Sequence, residues 1–277
     1  MNPSYINYLK ATKKSDNTIR DYTKYAQAML DYVGKPDTEI TFFDLMNYQA
    51  SISHLSPNTV RLHLAAIKSY FSFLEKGKII TDNPASQLDR PKANPKPKNY
   101  MSAEDVSAMI ANARTPRDAA IVKFMVSTGV RISELINITL DEYYEAIHTT
   151  REITIHGKGN KDRRIYINDG VEEAIEKYLD KRCDDCPYLF TTFRRTQIDP
   201  ESLSKTLKNM AKKAGIPFWE DISNHCMRAA FATIATRRGV DVDTISKAMG
   251  HSSLAVTSVY IKNAQANINN AMNVMAF

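Results

Sequence analysis

Residues 90–99 read Arg-Pro-Lys-Ala-Asn-Pro-Lys-Pro-Lys-Asn, and this stretch constrains the fold more than any other in the chain. Its three prolines fix φ and lack an N–H, and it has no apolar periodicity, so it reads as an extended spacer rather than part of a core. The chain is expected to divide here, into an amino-terminal domain over 1–89, a linker over 90–99 and a larger domain over 100–277. With 277 residues, 43% of them hydrophobic, there is enough apolar material for two cores. Three cysteines, no leader-like segment and no long apolar run point to a reducing, soluble, cytoplasmic setting without membrane association.

Before the linker, helical spacing dominates. Ile19, Tyr22, Ala26, Met29 and Leu30 lie on one stripe, and Leu64, Ile67, Tyr70, Phe71 and Leu74 on another. Ser56-Pro57 starts the second of these helices and Gly77 stops it, while Thr41 with Asp44 opens a further helix between them. A bundle of about four helices follows, with Arg61 and Lys68 off the apolar stripe. After the linker, Ser102 with Asp105 reads as a capping box, and Ile121 to Ser127 as a buried helix stopped by Gly129. Residues 151–167 change period. Ile153 and Ile155 alternate with polar neighbours, a glycine-bounded loop follows, and Ile165 and Ile167 alternate again, which predicts a hairpin with Lys158 near its tip. Helices are expected over 171–182, 202–214 and 225–239, and a short one ending at Gly250.

Four motifs carry the chemistry. Thr128-Gly129-Val130-Arg131 offers an arginine, Gly157-Lys158-Gly159 a lysine, and His225-Cys226-Met227-Arg228 a histidine and arginine one helical turn apart; Gly250-His251-Ser252-Ser253 leads past Thr257 to Tyr260. In that order, two Arg, one Lys, two His and a terminal Tyr form a set able to attack a phosphodiester without a metal. The set resembles the tyrosine recombinase, or phage integrase, family. Singly, each piece has a plainer reading: Arg131 pairs locally with Glu134, Gly-Lys-Gly makes a turn, and the tyrosine fills a core.

The residue types fit the reaction. Guanidinium forks match the charged oxygens of a phosphoryl group in transfer, which assigns Arg131 and Arg228 as a clamp. A phenol, with an ordinary pKa of about 10, needs a proton acceptor, and His225 is the candidate base. A lysine among cations can protonate the departing 5'-oxygen. The resemblance favours Lys158 for this, with Lys161 within reach of the same phosphate. His251 is a candidate donor to a phosphate oxygen.

The resemblance implies a mainly α fold with a small β-sheet (α+β), comprising a SAM-like core-binding bundle and a mixed α/β catalytic domain. It further implies a 3'-phosphotyrosyl intermediate, a Holliday junction, no cofactor, and a tetramer acting on two double-stranded DNA sites. The chain departs from the family at Ala229, where His is frequent, and at Cys226-Met227, where an apolar pair is usual. Neither change removes a chemical role. Its length favours a simple Xer-like core. A type IB topoisomerase-like enzyme, a DNA-binding protein without catalysis and a structural helical protein are the alternatives.

Arg61, Lys68, Lys92 and Lys161 are the expected DNA contacts. The net charge of +6 fits a phosphate-bearing partner, and residues 1–99 hold 14 Lys/Arg against 9 Asp/Glu, nearly the whole surplus. Cys183 and Cys186 have zinc or redox spacing without a second pair, and read as two thiols in a helix-end loop. Trp219 and Cys226 read as packing and Asn224 as a cap. Ile268, Ala271, Met272 and Met275 give residues 264–277 the pattern of a short amphipathic helix, which docks on its own domain or on a neighbouring subunit.

Overall fold

The computed structural model describes residues 1–92, 99–157 and 161–250, with Lys161 defined by its backbone. Lys158, His251, Tyr260 and the 264–277 stripe lie outside the described residues. The chain forms two compact units, Met1–Pro97 and Lys98–Phe277.

In the first unit, four helices enclose one core: α1 (Ser4–Ala11), α2 (Asp16–Val33), α3 (Phe42–Ser51) and α4 (Pro57–Lys76). The capping chemistry sets their ends. Ser15 Oγ accepts the Thr18 N–H, Thr41 and Asp44 form a reciprocal capping box, and Ser56 Oγ accepts the Thr59 N–H with Pro57 in the first turn. Leu64, Ile67, Tyr70, Phe71 and Leu74 are all fully buried, as the spacing requires. One expectation needs correction. By its residues, the Ser15–Tyr22 segment reads as the first helix of the bundle, yet it opens the second, because Ser4–Ala11 is already helical. Eight residues are too few for a visible apolar stripe. Tertiary contacts hold α1 instead: Tyr5 and Leu9 are fully buried, the Tyr5 hydroxyl donates to Ser69 Oγ at 2.9 Å, and its ring packs edge-on against Tyr70.

The second unit opens with α5 (Ala103–Ala111), started by the Ser102/Asp105 capping box, and α6 (Pro116–Thr128). A four-residue helix α7 (Ile132–Leu135) and α8 (Leu140–His148) lead to the antiparallel hairpin of β1 (Glu152–Gly157) and β2 (Lys161–Tyr166). In its register Ile153 faces Ile165 and Ile155 faces Arg163, and all three isoleucines are buried. Then come α9 (Asp169–Leu179), α10 (Pro200–Lys213), α11 (Asn224–Arg237) and α12 (Val242–Met249). Helix α11 is buried on two sides. Met227 and Ala230 join the main core, while Ala229 and Ala232 meet Ile245 and Met249 of α12, the small alanine side chains permitting a close approach. Among the described residues no helix is long and apolar enough to cross a membrane.

Gly129 shows how backbone and packing combine at one position. It ends α6 at φ +64, and a Cβ built there would lie 2.6 Å from Phe231 Cδ1 of α11. Gly34, ending α2 at φ +67, has nothing within 4 Å of such an atom. Gly34→Ala is therefore expected to cost only the left-handed strain, about 1 kcal/mol, and Gly129→Ala roughly 2–5 kcal/mol through strain plus overpacking. Denaturant unfolding of each unit checks this order.

Candidate active site

The site is built on the end of α12. Gly250 adopts φ +63 and closes the helix with a hydrogen bond from its N–H to the Lys247 carbonyl. The last carbonyls of a helix lack intrahelical donors and carry the negative end of its dipole. Here three successive carbonyls each meet a different arginine. Arg163 Nε donates to Ala248 O at 2.9 Å, Arg228 Nη2 donates to Met249 O, and Arg131 Nη2 donates to Gly250 O at 3.1 Å. The three come from β2, from α11 and from the residue that caps α7.

One carboxylate organises two of these cations. Glu134 Oε1 lies 2.8 Å from Arg131 Nη1 and 2.9 Å from Arg163 Nη1, and Oε2 accepts Arg163 Nη2 at 2.6 Å and the Arg131 backbone N–H at 2.7 Å. The side chains of Glu134 and Arg163 are 8% and 9% exposed, whereas that of Arg131 is 38% exposed. Burial of Glu134 opposes its ionisation. The hydrogen bonds from Arg163 and from the Arg131 backbone and guanidinium outweigh it, and the carboxyl is held down at about 2.

Arg228, 4% exposed, also donates through Nη1 to the Gly129 carbonyl, so it ties the end of α6 to the end of α12. A guanidinium has five N–H groups. Arg131 has two on Glu134 and Gly250, and it is the more open of the two expected clamp residues. His225 lies exposed on the first turn of α11, one turn before Arg228. An open cleft of about 540 Å³, lined in part by Arg131, Glu134, Asn137 and His156, adjoins the cluster.

The remaining candidates fall elsewhere. Arg61 Nε donates to Pro91 O at 2.9 Å and Lys68 Nζ to Ser86 O at 3.2 Å, so both tie α4 to the segment that follows it. Lys92 is exposed. Lys161 pairs with Gly157 at the hairpin end. Asn224, expected as a cap, is instead the first residue of α11; Ser223 holds the cap position, and Asn224 Nδ2 is drawn to Ser204 Oγ of α10 at 2.7 Å. Trp219 and Cys226 pack on the main core. Cys183 and Cys186 are free thiols in a loop braced by the Arg182–Asp184 pair at 2.7 Å. Sequence reasoning missed Arg163 and the double role of Glu134. The available signal was parity: Arg163 shares the inward face of β2 with Ile165, a position where an unpaired charge would be costly.

Comparison with known proteins decides the family. Residues 99–267 match the phage integrase family and residues 4–81 the phage integrase N-terminal SAM-like domain. The chain belongs to the phage integrase family of tyrosine recombinases. Tyrosine recombinase XerA of Pyrococcus horikoshii is 32% identical over 263 residues, covering 93% of this chain and 87% of that protein. Among solved structures, a XerA recombinase shares 26% identity and a TM-score of 0.54, covering 97% of this chain and 96% of its own. A lambda integrase dimer bound to a core site, 15% identical, shares the fold at a TM-score of 0.77, covering 92% of each chain.

In this recombinase, Glu134 carries a pH signature. Its folded carboxyl ionises below the ordinary value of 4.5, so its contribution to stability is fully present above about pH 4.5 and is lost as pH falls toward about 2. Glu134→Gln should flatten the acid limb of stability in that window. At neutral pH it should cost about 3–5 kcal/mol, because two arginines lose their counter-charge. Urea titrations at several pH values read both effects.

Proposed function

We propose that the chain is a site-specific DNA recombinase in which Tyr260 attacks a scissile phosphate of duplex DNA clamped by Arg131 and Arg228. His225 accepts the phenolic proton, and His251 donates to a phosphate oxygen. Attack forms a tyrosyl O–P bond and breaks the bond to the 5'-oxygen, which Lys158 protonates. A 3'-phosphotyrosyl link and a free 5'-hydroxyl result. Because the link keeps the phosphodiester energy, a 5'-hydroxyl from a partner strand reverses the attack without a nucleotide cofactor. Repetition on the second strand pair passes through a Holliday junction.

The observation that carries this proposal is the convergence of Arg163, Arg228 and Arg131 on the carbonyls of Ala248, Met249 and the capping Gly250 at the end of α12. His251 follows at once in the sequence and Tyr260 ten residues after Gly250. The segment bearing the nucleophile thus starts from a point registered on the clamp. A cluster of guanidiniums, two of them braced by Glu134, suits an anionic group that gains charge in the transition state.

The assembly follows the same logic. The amino-terminal bundle and the catalytic domain each bind the duplex, with Arg61, Lys68, Lys92 and Lys161 on the phosphate backbone. Four copies act on two sites in the cytoplasm, and the apolar stripe of residues 264–277 has its own domain or a neighbouring copy as its partner.

Denaturing gels of protein incubated with DNA carrying its recombination site test the roles. Tyr260→Phe should abolish the covalent adduct and leave DNA binding nearly unchanged, since one oxygen is lost. Arg131→Ala should slow adduct formation by at least about a hundredfold. Replacing the scissile 5'-oxygen with sulfur, a leaving group that needs no proton, should rescue Lys158→Ala and leave Lys161→Ala little changed. Adduct at wild-type yield from Tyr260→Phe would refute the assignment of the nucleophile.

A further inference from the structure

Between α9 and α10 the chain forms a self-contained turn that the chemistry above does not use. Thr191 and Gln197 pair as an antiparallel bridge, the Thr192 N–H donates to Thr196 O at 2.8 Å, and the two threonine hydroxyls meet at 2.9 Å. Thr192 Oγ1 also accepts the Arg194 and Thr196 N–H groups at 3.2 and 3.3 Å. Arg195 sits at φ +63, an uncommon conformation for a non-glycine residue, which these bonds hold in place. The turn is therefore ordered by its own backbone and threonines. Its tip side chains project outward: Phe193 is 78% exposed, and Arg194 and Arg195 are exposed.

The aromatic ring is mounted on one side. The Arg117 guanidinium carbon lies 4.7 Å from the Phe193 centroid. Arg117 is itself fixed by Asp118 at 2.7 Å and by the Thr191 carbonyl at 2.8 Å, with side chains 13% and 6% exposed in the pair. Among the described residues neither Arg194 nor Arg195 enters an ion pair. A supported ring beside two uncompensated cations matches a polyanion that also offers apolar edges, which is what the sugar-lined groove of DNA presents.

The location agrees. At the foot of the turn, Gln197 Nε2 donates to Ile136 O at 3.0 Å and Asn137 Oδ1 at 2.8 Å, just past the short helix α7 that Arg131 caps. The following helix, α10, is tied through Ser204 to Asn224, the neighbour of His225. The turn is thus rooted between the supports of both halves of the site.

We propose that the 192–196 turn is a second DNA contact, resting on the recombinase function above. Phe193 packs against sugar and base edges in the minor groove, and Arg194 and Arg195 neutralise the flanking phosphates. Full-length protein and a short mixed-sequence duplex, followed by fluorescence anisotropy over a range of salt, test it. Phe193→Ala should weaken binding roughly 5- to 100-fold, and Phe193→Trp should retain it. Arg194→Ala with Arg195→Ala should reduce the slope of log Kd against log salt by about 2. Tyr144→Ala, which removes a 42% exposed aromatic on α8, should change neither. Wild-type affinity and slope in the Phe193 and arginine variants, or an equal loss in Tyr144→Ala, would overturn the contact and leave the recombinase function standing. Failure of the unaltered protein to bind DNA would overturn both.

Discussion

The end of α12 is where the catalytic unit is fastened together. A helix terminus ordinarily leaves its final carbonyls to water or to a cap, and here three arginines from three other elements take them one by one. Each bond is charge-assisted and aligned with the negative end of the helix dipole. The same side chains are also held from behind, Arg131 and Arg163 by Glu134 and Arg228 by the Gly129 carbonyl. The hairpin, α6, α7, α11 and α12 therefore cannot shift independently near this point.

That arrangement does two jobs with one set of charges. Concentrating three guanidiniums would be unfavourable in a folded protein without compensation, and Glu134 together with the helix end supplies it. Arg131 keeps 38% of its side chain exposed, so the cluster presents a guanidinium on its open side. In the proposed reaction a phosphodiester would meet donors whose positions are already fixed there, the condition under which electrostatic stabilisation of a transition state is strongest. Alanine packing between α11 and α12 lets the helix end come close enough for Arg228 to reach it.

Much of this was legible in the sequence, for definable reasons. Capping chemistry is local, so the starts of α3, α4 and α5 could be read from Thr41, Ser56 and Ser102. Periodicity marked the buried faces of α2 and α4 and the hairpin's inward isoleucines. Helix α1 was hidden because its stability comes from Tyr5 against residues more than sixty positions away. The Glu134–Arg131 pair, three residues apart, was visible as a local ion pair, but the second pair to Arg163 spans 29 positions and has no local signal. Asn224 misled as a cap because its partner, Ser204, lies on another helix.

If Glu134 and Arg163 act as one unit that positions Arg131 and the end of α12, their effects on catalysis must be coupled. A double-mutant cycle with Glu134→Gln and Arg163→Gln, read as the single-turnover rate of DNA cleavage under conditions where all four proteins are folded, measures this directly. The account predicts that the double variant is no slower than the slower single variant. Rate losses that simply multiply would show that the two residues contribute independently, and would contradict it.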